Sequence, residues 1–261
     1  MSRLDTTFES LRRQGRCGLV TFTTAGDPDL ARSADILRAL DRAGADVLEV
    51  GVPFSDPLAD GPVIQRASER ALRAGATLGR VLEMVGGVRS SVAAGIVLFT
   101  YANPVMRMGL PRFMARASDA GVDGVLVLDL PIEEAGGLRT AATEQGIDPI
   151  FLLSPTTTEA RIRRAATLGR GFLYGISRLG VTGARDTIAA GAESLVARIR
   201  SVTDLPVALG FGISQPEHVA EVGRWADAAV VGSALVDVIA RAAPDRATAD
   251  VERYVRWLRG G

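Results

Sequence analysis

Short apolar runs alternate with helix-length amphipathic segments along the chain, and this alternation constrains the fold more than any other feature. Runs rich in β-forming residues predict strands at 17–23, 46–51, 95–101, 123–129, 148–153, 171–176, 206–211 and 227–232. Helical apolar spacing occurs at 28–44, 77–91, 109–121, 132–146, 157–168, 191–203 and 216–224. A helix-length crossover between successive strands makes them parallel. The sequence therefore predicts a parallel β/α fold with eight strands.

A short pattern repeats at the start of three of these strands: a glycine, an apolar residue and an aspartate, which is Asp46, Asp123 or Asp148. The glycine ends one helix and the strand follows. Eight such units in 261 residues favour a single-domain TIM (β/α)8 barrel over residues 1–261, with an extra N-terminal helix near 2–14. An open doubly wound sheet is the main alternative, but no G-x-G-x-x-G follows the first strand.

Composition excludes several kinds of chemistry. All thirty basic residues are arginine, so no lysine can form a Schiff base with a carbonyl substrate. His218 is the only histidine, which argues against a catalytic metal site, and its position predicts a surface residue. Cys17 has no partner for an internal disulfide and is interpreted as a buried thiol.

Charge and hydropathy point to small-molecule chemistry. Thirty acidic residues balance the thirty arginines, which are scattered, so nucleic-acid binding is not expected. No apolar run approaches the ~20 residues of a membrane helix. The first residues include acidic ones where a secretory signal would be basic and then apolar, so we expect a cytoplasmic protein.

Two carboxylates near the second strand are the candidate catalytic groups. Glu49 lies late in that strand between Leu48 and Val50, and alternation directs it into the barrel. Asp60 lies in the long loop that follows, which contains three prolines. Each has a structural alternative: Glu49 as a buried partner of an arginine, and Asp60 as the N-cap of a helix that opens at Pro62.

Glycines after strands seven and eight predict a phosphate site. Barrels commonly bind phosphate at this place through backbone N–H groups and a helix N-terminus. The two segments are Gly210-Phe211-Gly212-Ile213-Ser214 and Gly232-Ser233-Ala234. Ordinary tight turns are the alternative for either segment alone.

Strand six and its following loop complete the predicted pocket. The loop at 177–185 contains Thr182 and Gly183 and is interpreted as a lid that closes on the phosphate, with a plain surface loop as the alternative. Tyr174 on the strand can reach the pocket or simply pack in the core.

Several of these motifs together resemble the tryptophan synthase alpha subunit family. The longest is Leu48-Glu49-Val50-Gly51-Val52-Pro53-Phe54-Ser55-Asp56-Pro57-Leu58-Ala59-Asp60-Gly61. The others, in the family's order, are Thr24-Ala25-Gly26-Asp27-Pro28, Tyr101-Ala102-Asn103-Pro104, Asp129-Leu130-Pro131, Ser177-Arg178-Leu179-Gly180-Val181-Thr182-Gly183 and Gly210-Phe211-Gly212-Ile213-Ser214. Leu179 departs from the small polar residue of many relatives, which bears on the lid and not on the chemistry.

The resemblance implies cleavage of indole-3-glycerol phosphate to indole and glyceraldehyde 3-phosphate, with Glu49 as the acid-base group and Asp60 as its partner. It implies no cofactor in this chain and a beta subunit that carries pyridoxal phosphate, in an alpha2beta2 heterotetramer. The positions that match the family's substrate pocket are Phe22, Tyr174, Thr182, Gly183, Phe211, Gly212, Gly232 and Ser233.

The residues suit this reaction because the substrate carries its own electron sink. Protonation of indole C3 creates a cationic ring nitrogen that accepts the electrons of the breaking bond, so lysine is not required. Glu49, a water or Tyr174 remain open as acceptors of the glycerol hydroxyl proton. Alternative functions are a sugar-phosphate isomerase or cyclase barrel, a binding subunit that activates its beta partner, and a stand-alone lyase that releases free indole.

Overall fold

The computed structural model describes residues 1–176, 191–210, 212–243 and 245–260. Its strands are β1 (Gly18–Thr24), β2 (Val47–Gly51), β3 (Gly95–Thr100), β4 (Gly124–Val127), β5 (Asp148–Pro149), β6 (Phe151–Leu153), β7 (Leu173–Ile176), β8 (Val207–Gly210) and β9 (Ala228–Val231). Its helices are α1 (Arg3–Gln14), α2 (Leu30–Arg42), α3 (Pro62–Arg73), α4 (Leu78–Arg89), α5 (Ala102–Met108), α6 (Leu110–Asp119), α7 (Gly136–Glu144), α8 (Glu159–Leu168), α9 (Ala192–Arg200), α10 (Pro216–Val222), α11 (Ser233–Arg241) and α12 (Ala247–Leu258). A short 3-10 helix, Ile132–Glu134, precedes α7.

All pairings between the described strands are parallel, in the order β5-β4-β3-β2-β1-β9-β8-β7-β6. The two ends of this order, β5 and β6, are separated in the chain only by Ile150, whose N–H donates to the Val125 carbonyl at 2.9 Å. The sheet therefore closes on itself, and the predicted TIM barrel is confirmed.

The predicted strand at 148–153 is two short segments. Asp148–Pro149 pairs with β4, whereas Phe151–Leu153 pairs with β7. Pro149 has no N–H to donate, so the ladder is interrupted beside it. Nine strand segments therefore fill the eight predicted positions. Four helices, α3, α5, α11 and α12, lie outside the segments predicted from apolar spacing.

The core has an inner and an outer layer. Alternate strand residues such as Val20, Val47 and Val97 fill the barrel interior, while Leu48 and Val50 pack outward against the helices. The predicted N-terminal helix is α1, and it closes one end of the barrel. Its buried residues Leu4, Phe8 and Leu11 belong to the interior cluster, and the Phe8 ring lies 5.3 Å from that of Phe172.

The aspartates of the sequence repeat join neighbouring strands at the end of the barrel where the strands begin. Asp46 accepts the Leu19 N–H at 2.8 Å, and Asp123 accepts the Ile96 N–H at 2.8 Å. Asp227, which precedes β9, accepts the Val207 N–H at 2.8 Å. Each carboxylate also pairs with an arginine, as Asp46 does with Arg16 at 2.7 Å. These ion pairs stabilise the end of the barrel at which the strands begin. The loops that follow the strands form the opposite end.

No helix in the described ranges is long and apolar enough to cross a bilayer. Within the same ranges, no group of three or more His, Cys, Asp or Glu residues is arranged to hold a metal ion.

Candidate active site

Glu49 lies inside the barrel near the C-terminal end of β2. It is 1% exposed, and its register partners on the neighbouring strands are Phe22 and Val97. No arginine among the described residues pairs with it, and its Oε1 has no hydrogen-bond partner there. Because no partner offsets the loss of hydration of the charged form, burial raises the pKa of the Glu49 carboxyl to about 8. Within the described ranges, the alternative of a structural ion pair with an arginine is therefore wrong.

Asp60 lies at the end of the loop after β2, buried to 5% exposure. Its carboxylate accepts a hydrogen bond from the Tyr101 hydroxyl at 2.9 Å. Burial raises the pKa of Asp60 to about 6, although the Tyr101 hydrogen bond acts in the opposite direction. The N-cap of α3 is Gly61, with no side-chain cap, so the interpretation of Asp60 as the helix cap is wrong.

Tyr101 is the site residue that the prediction of catalytic and binding residues missed. It follows β3 directly, and its hydroxyl oxygen accepts the Ala59 N–H at 3.3 Å while it donates to Asp60. Its ring lies 5.1 Å from that of Phe54. The position at the C-terminal end of a barrel strand is the signal that could have identified it. Tyr101 ties the β2 loop to the end of β3 and orients the Asp60 carboxylate.

Phe22 and Tyr174 face the same interior as Glu49. The Phe22 ring meets the Phe99 ring edge-on at 5.3 Å, and a Cβ built on Gly51 would lie 2.6 Å from the Phe22 Cζ. Tyr174 is buried in the interior cluster. Burial, and then the charge of Glu49, raise the pKa of its hydroxyl well above the usual value. Tyr174 is therefore a poor proton acceptor near neutral pH.

The predicted phosphate-binding glycines lie after two neighbouring strands. Gly212 follows β8 with a φ of +82°, a backbone conformation that favours glycine. Gly232 precedes α11 as its N-cap, and Ser233 is the first residue of that helix. A Cβ on Gly232 would lie 3.8 Å from the Phe22 Cβ, which places the start of α11 beside Phe22. The arrangement brings a helix N-terminus and backbone N–H groups to the barrel mouth.

Thr182, Gly183 and Phe211, together with the predicted lid at 177–185 and its Leu179, lie outside the described residues.

Two other predictions about titratable residues need correction. His218 is not at the surface: it is 4% exposed, because its ring folds back from α10 and accepts the Ser214 N–H at Nδ1. Cys17 is half-buried, with its thiol 3.5 Å from the Gly18 carbonyl, and burial raises its pKa to about 11. A thiol with a raised pKa is a weak nucleophile, which agrees with its interpretation as structural.

Comparison with known proteins places this geometry in a family. Residues 8–258 match the family described as tryptophan synthase alpha chain. The chain belongs to the tryptophan synthase alpha chain family. It is 52% identical to the alpha chain of Methylococcus capsulatus, over 99% of this chain and 98% of that protein, and 51% identical to that of Geobacter sulfurreducens, with the same coverage.

Solved structures agree with the sequence relatives. The fold superposes on Mycobacterium tuberculosis tryptophan synthase with a TM-score of 0.91 and 36% identity, covering 99% of this chain and 97% of that one. The alpha subunit from Legionella pneumophila gives a TM-score of 0.91 at 34% identity, with 100% and 98% coverage. Membership makes the chain a lyase subunit of tryptophan biosynthesis. The relatives support the alpha-chain function and give no support to a stand-alone lyase.

Proposed function

We propose that the chain cleaves indole-3-glycerol phosphate to indole and D-glyceraldehyde 3-phosphate, with Glu49 and Asp60 as its catalytic residues. The observation that carries this proposal is the buried, unpaired Glu49 carboxyl, whose raised pKa of about 8 keeps it protonated at neutral pH. A neutral acid in an apolar barrel can protonate carbon, which an ionised surface glutamate cannot do.

Glu49 delivers its proton to indole C3 and turns the ring into an indolenine with a cationic nitrogen. The bond from C3 to the glycerol chain then breaks, its electron pair restores the indole, and the adjacent hydroxyl loses a proton as the aldehyde forms. Glu49, once ionised, or a water takes that proton. Tyr174 is the least suitable of the acceptors considered, because its pKa is raised well above the usual value.

Asp60 supplies a fixed negative charge for the cationic ring nitrogen. Such a charge lowers the barrier because the positive charge it meets appears only as the reaction proceeds. The Tyr101 hydrogen bond at 2.9 Å holds the carboxylate in one orientation and favours its ionised form. Glu49 and Asp60 thus divide the work into proton transfer and charge stabilisation.

The remaining predicted residues hold the substrate. We assign the phosphate to Gly212, Gly232 and Ser233 with Thr182 and Gly183, and the indole to the wall formed by Phe22, Tyr174 and Phe211. Binding the phosphate fixes the far end of the substrate and positions the reacting carbon over Glu49.

The name of the family implies a second subunit. We propose that the chain works with a tryptophan synthase beta subunit in an alpha2beta2 heterotetramer, in the cytoplasm. We propose further that residues 1–261 form one catalytic domain without a cofactor of its own, pyridoxal phosphate being held by the beta partner. The exposed Leu58 in the β2 loop, 90% accessible, suits a contact with another chain. Size-exclusion chromatography of the chain with and without a beta subunit tests the proposed association. An elution volume that does not change on mixing would contradict that association.

A steady-state assay of indole release from indole-3-glycerol phosphate tests the reaction itself. We expect turnover by the wild-type chain with beta present, and a loss of about 10²–10⁴-fold in kcat for Glu49→Gln, because the acid is removed. Glu69→Gln is a matched control, since Glu69 is an exposed residue of α3 that forms a surface ion pair with Arg73. Absence of wild-type turnover, or full activity in Glu49→Gln, would overturn the proposal.

A further inference from the structure

We propose that His218 and Tyr254 are positioning residues that hold Ser214 from two sides and thereby fix the loop after β8 in the shape that binds the substrate phosphate. The proposal rests on the proposed function, since it assigns that loop to a phosphate. Both side chains lie outside the set of groups that contact substrate or perform the chemistry, and both act through the backbone of Ser214.

His218 holds the N–H group of Ser214. The imidazole Nδ1 accepts this hydrogen bond at 3.3 Å, from the third residue of α10 back to the residue before the helix cap. The cap itself, Gln215, makes no side-chain cap hydrogen bond, and the ring instead reaches back from the first turn of the helix to a donor in the preceding loop, as the third residue of a capping box does. Acceptance at Nδ1 requires that this nitrogen carry no proton.

Tyr254 holds the carbonyl of the same residue. Its hydroxyl donates to the Ser214 oxygen at 2.9 Å from α12, the helix that ends the described chain. Burial raises the pKa of the Tyr254 hydroxyl, so it stays a donor throughout the neutral range. The Trp257 ring packs beside it, with centroids 5.7 Å apart.

The two hydrogen bonds limit the movement of a very short segment. Ile213 is 3% exposed and anchored in the core, and Gly212 before it has the left-handed φ of +82°. The segment 212–214 is therefore held by the packed side chain of Ile213 and by hydrogen bonds to the N–H and carbonyl groups of Ser214. A backbone held in this way can offer the N–H groups of Gly212 and Ile213 to an anion, while that of Ser214 is donated to His218, without the entropy cost of ordering the loop on binding.

This arrangement explains why the only histidine is buried in a place that the chemistry does not use. It also links the C-terminal helix to the substrate site, although α12 lies outside the barrel. Loss of either hydrogen bond should weaken phosphate binding and leave the proton transfer at Glu49 unchanged.

The test combines kinetics with binding of inorganic phosphate, using the full chain with its beta partner. Tyr254→Phe removes the hydrogen bond to the Ser214 carbonyl, and His218→Leu removes the acceptor of the Ser214 N–H. For each variant we expect about a tenfold rise in KM for indole-3-glycerol phosphate and in the calorimetric Kd for phosphate, with kcat changed less than about twofold. His218→Asn, which keeps an acceptor near the position of Nδ1, should restore much of the affinity. Arg253→Ala is the control on the same helix, because Arg253 is exposed and forms an ion pair with Asp250.

Tyr254→Phe keeps the proposal testable if His218→Leu fails to fold, since it deletes a single oxygen. Unchanged KM and phosphate Kd in Tyr254→Phe would overturn the proposal, as would a fall in kcat with KM unaltered. Because phosphate binding needs no turnover, it tests the role of Ser214 even if the wild-type chain does not cleave indole-3-glycerol phosphate, in which case only the proposed reaction falls.

Discussion

Glu49 and Asp60 differ in the partners that surround them, and the difference sets a pH range for catalysis. Glu49 acts as an acid and is active below its pKa of about 8, whereas Asp60 must be ionised and is active above its pKa of about 6. We therefore expect kcat/KM for indole-3-glycerol phosphate to follow a bell-shaped pH profile with limbs near these values. A flat profile across this range would show that neither carboxyl controls the rate.

The acidic limb needs a separate assignment, because a phosphate monoester also titrates near pH ~6. Tyr101→Phe distinguishes the two groups. It removes the hydrogen bond that lowers the pKa of Asp60, so we expect the acidic limb to move to higher pH while the basic limb stays in place. A limb that does not move in this variant belongs to the substrate.

The same burial that makes Glu49 an acid also affects stability. Its pKa rises from 4.5 in the unfolded chain to about 8 in the fold, so the folded state binds more protons and the free energy of unfolding falls as pH rises through this window. Glutamine avoids the ionisation. We expect Glu49→Gln to be more stable than wild type by ~2–4 kcal/mol near pH ~8.5 and nearly equal to it near pH ~4.5, as measured by urea denaturation. Lower stability of the variant at high pH would contradict this account of the site.

At the scale of the secondary-structure elements, the aspartates that precede the strands contribute to the stability of the closed barrel. Asp46 accepts the buried Leu19 N–H and contacts Arg16 and Arg259, so its removal leaves a donor of β1 unpaired and two cations without their partner. We expect Asp46→Ala to destabilise the fold by ~2–4 kcal/mol in denaturant titrations. Activity below the unfolding transition should remain, because Asp46 lies at the end of the barrel opposite the site.

Asp35→Ala is the matched control for this prediction. Asp35 forms an exposed pair with Arg38 one turn away on α2, and such pairs contribute ~0–1 kcal/mol. Equal losses of stability in the two variants would mean that the aspartate repeat has no special role in closing the barrel.

Element prediction succeeded where one helix connects two strands and missed helices where two of them follow one strand, as α3 and α4, α5 and α6, and α11 and α12 do. The strands β1, β2 and β3 follow their runs of β-forming residues closely, because both faces of a strand are buried in a parallel barrel and most of its residues are therefore apolar. The predicted strand at 148–153 divides at Ile150 because its first part pairs with β4 and its second part with β7. Helix α5 has seven residues and is too short to show a helical period in the sequence.

The absence of lysine is a property of the entire chain and gives a chemical test. An aldolase that uses an imine is inactivated when borohydride reduces the lysine adduct. We expect borohydride, added during turnover of indole-3-glycerol phosphate, to leave the activity unchanged and to form no covalent adduct by mass spectrometry. An adduct within the chain would require a different electron sink from the indole ring.

The sequence by itself determined the parallel barrel, the place of Glu49 inside it and the exclusion of an imine mechanism, because periodicity, strand order and composition are local or additive properties. It could not determine the Tyr101 hydrogen bond to Asp60 or the contact of Tyr254 with Ser214, which join residues 41 and 40 positions apart in the chain. Only the closed barrel brings such residues together. The burial of His218 was missed for the same reason: a lone polar residue on a short helix shows its partner only when the loop before it has folded back. The raised pKa of Glu49 likewise depends on the tertiary structure, since desolvation is produced by the neighbours on every side and not by the strand that carries the residue.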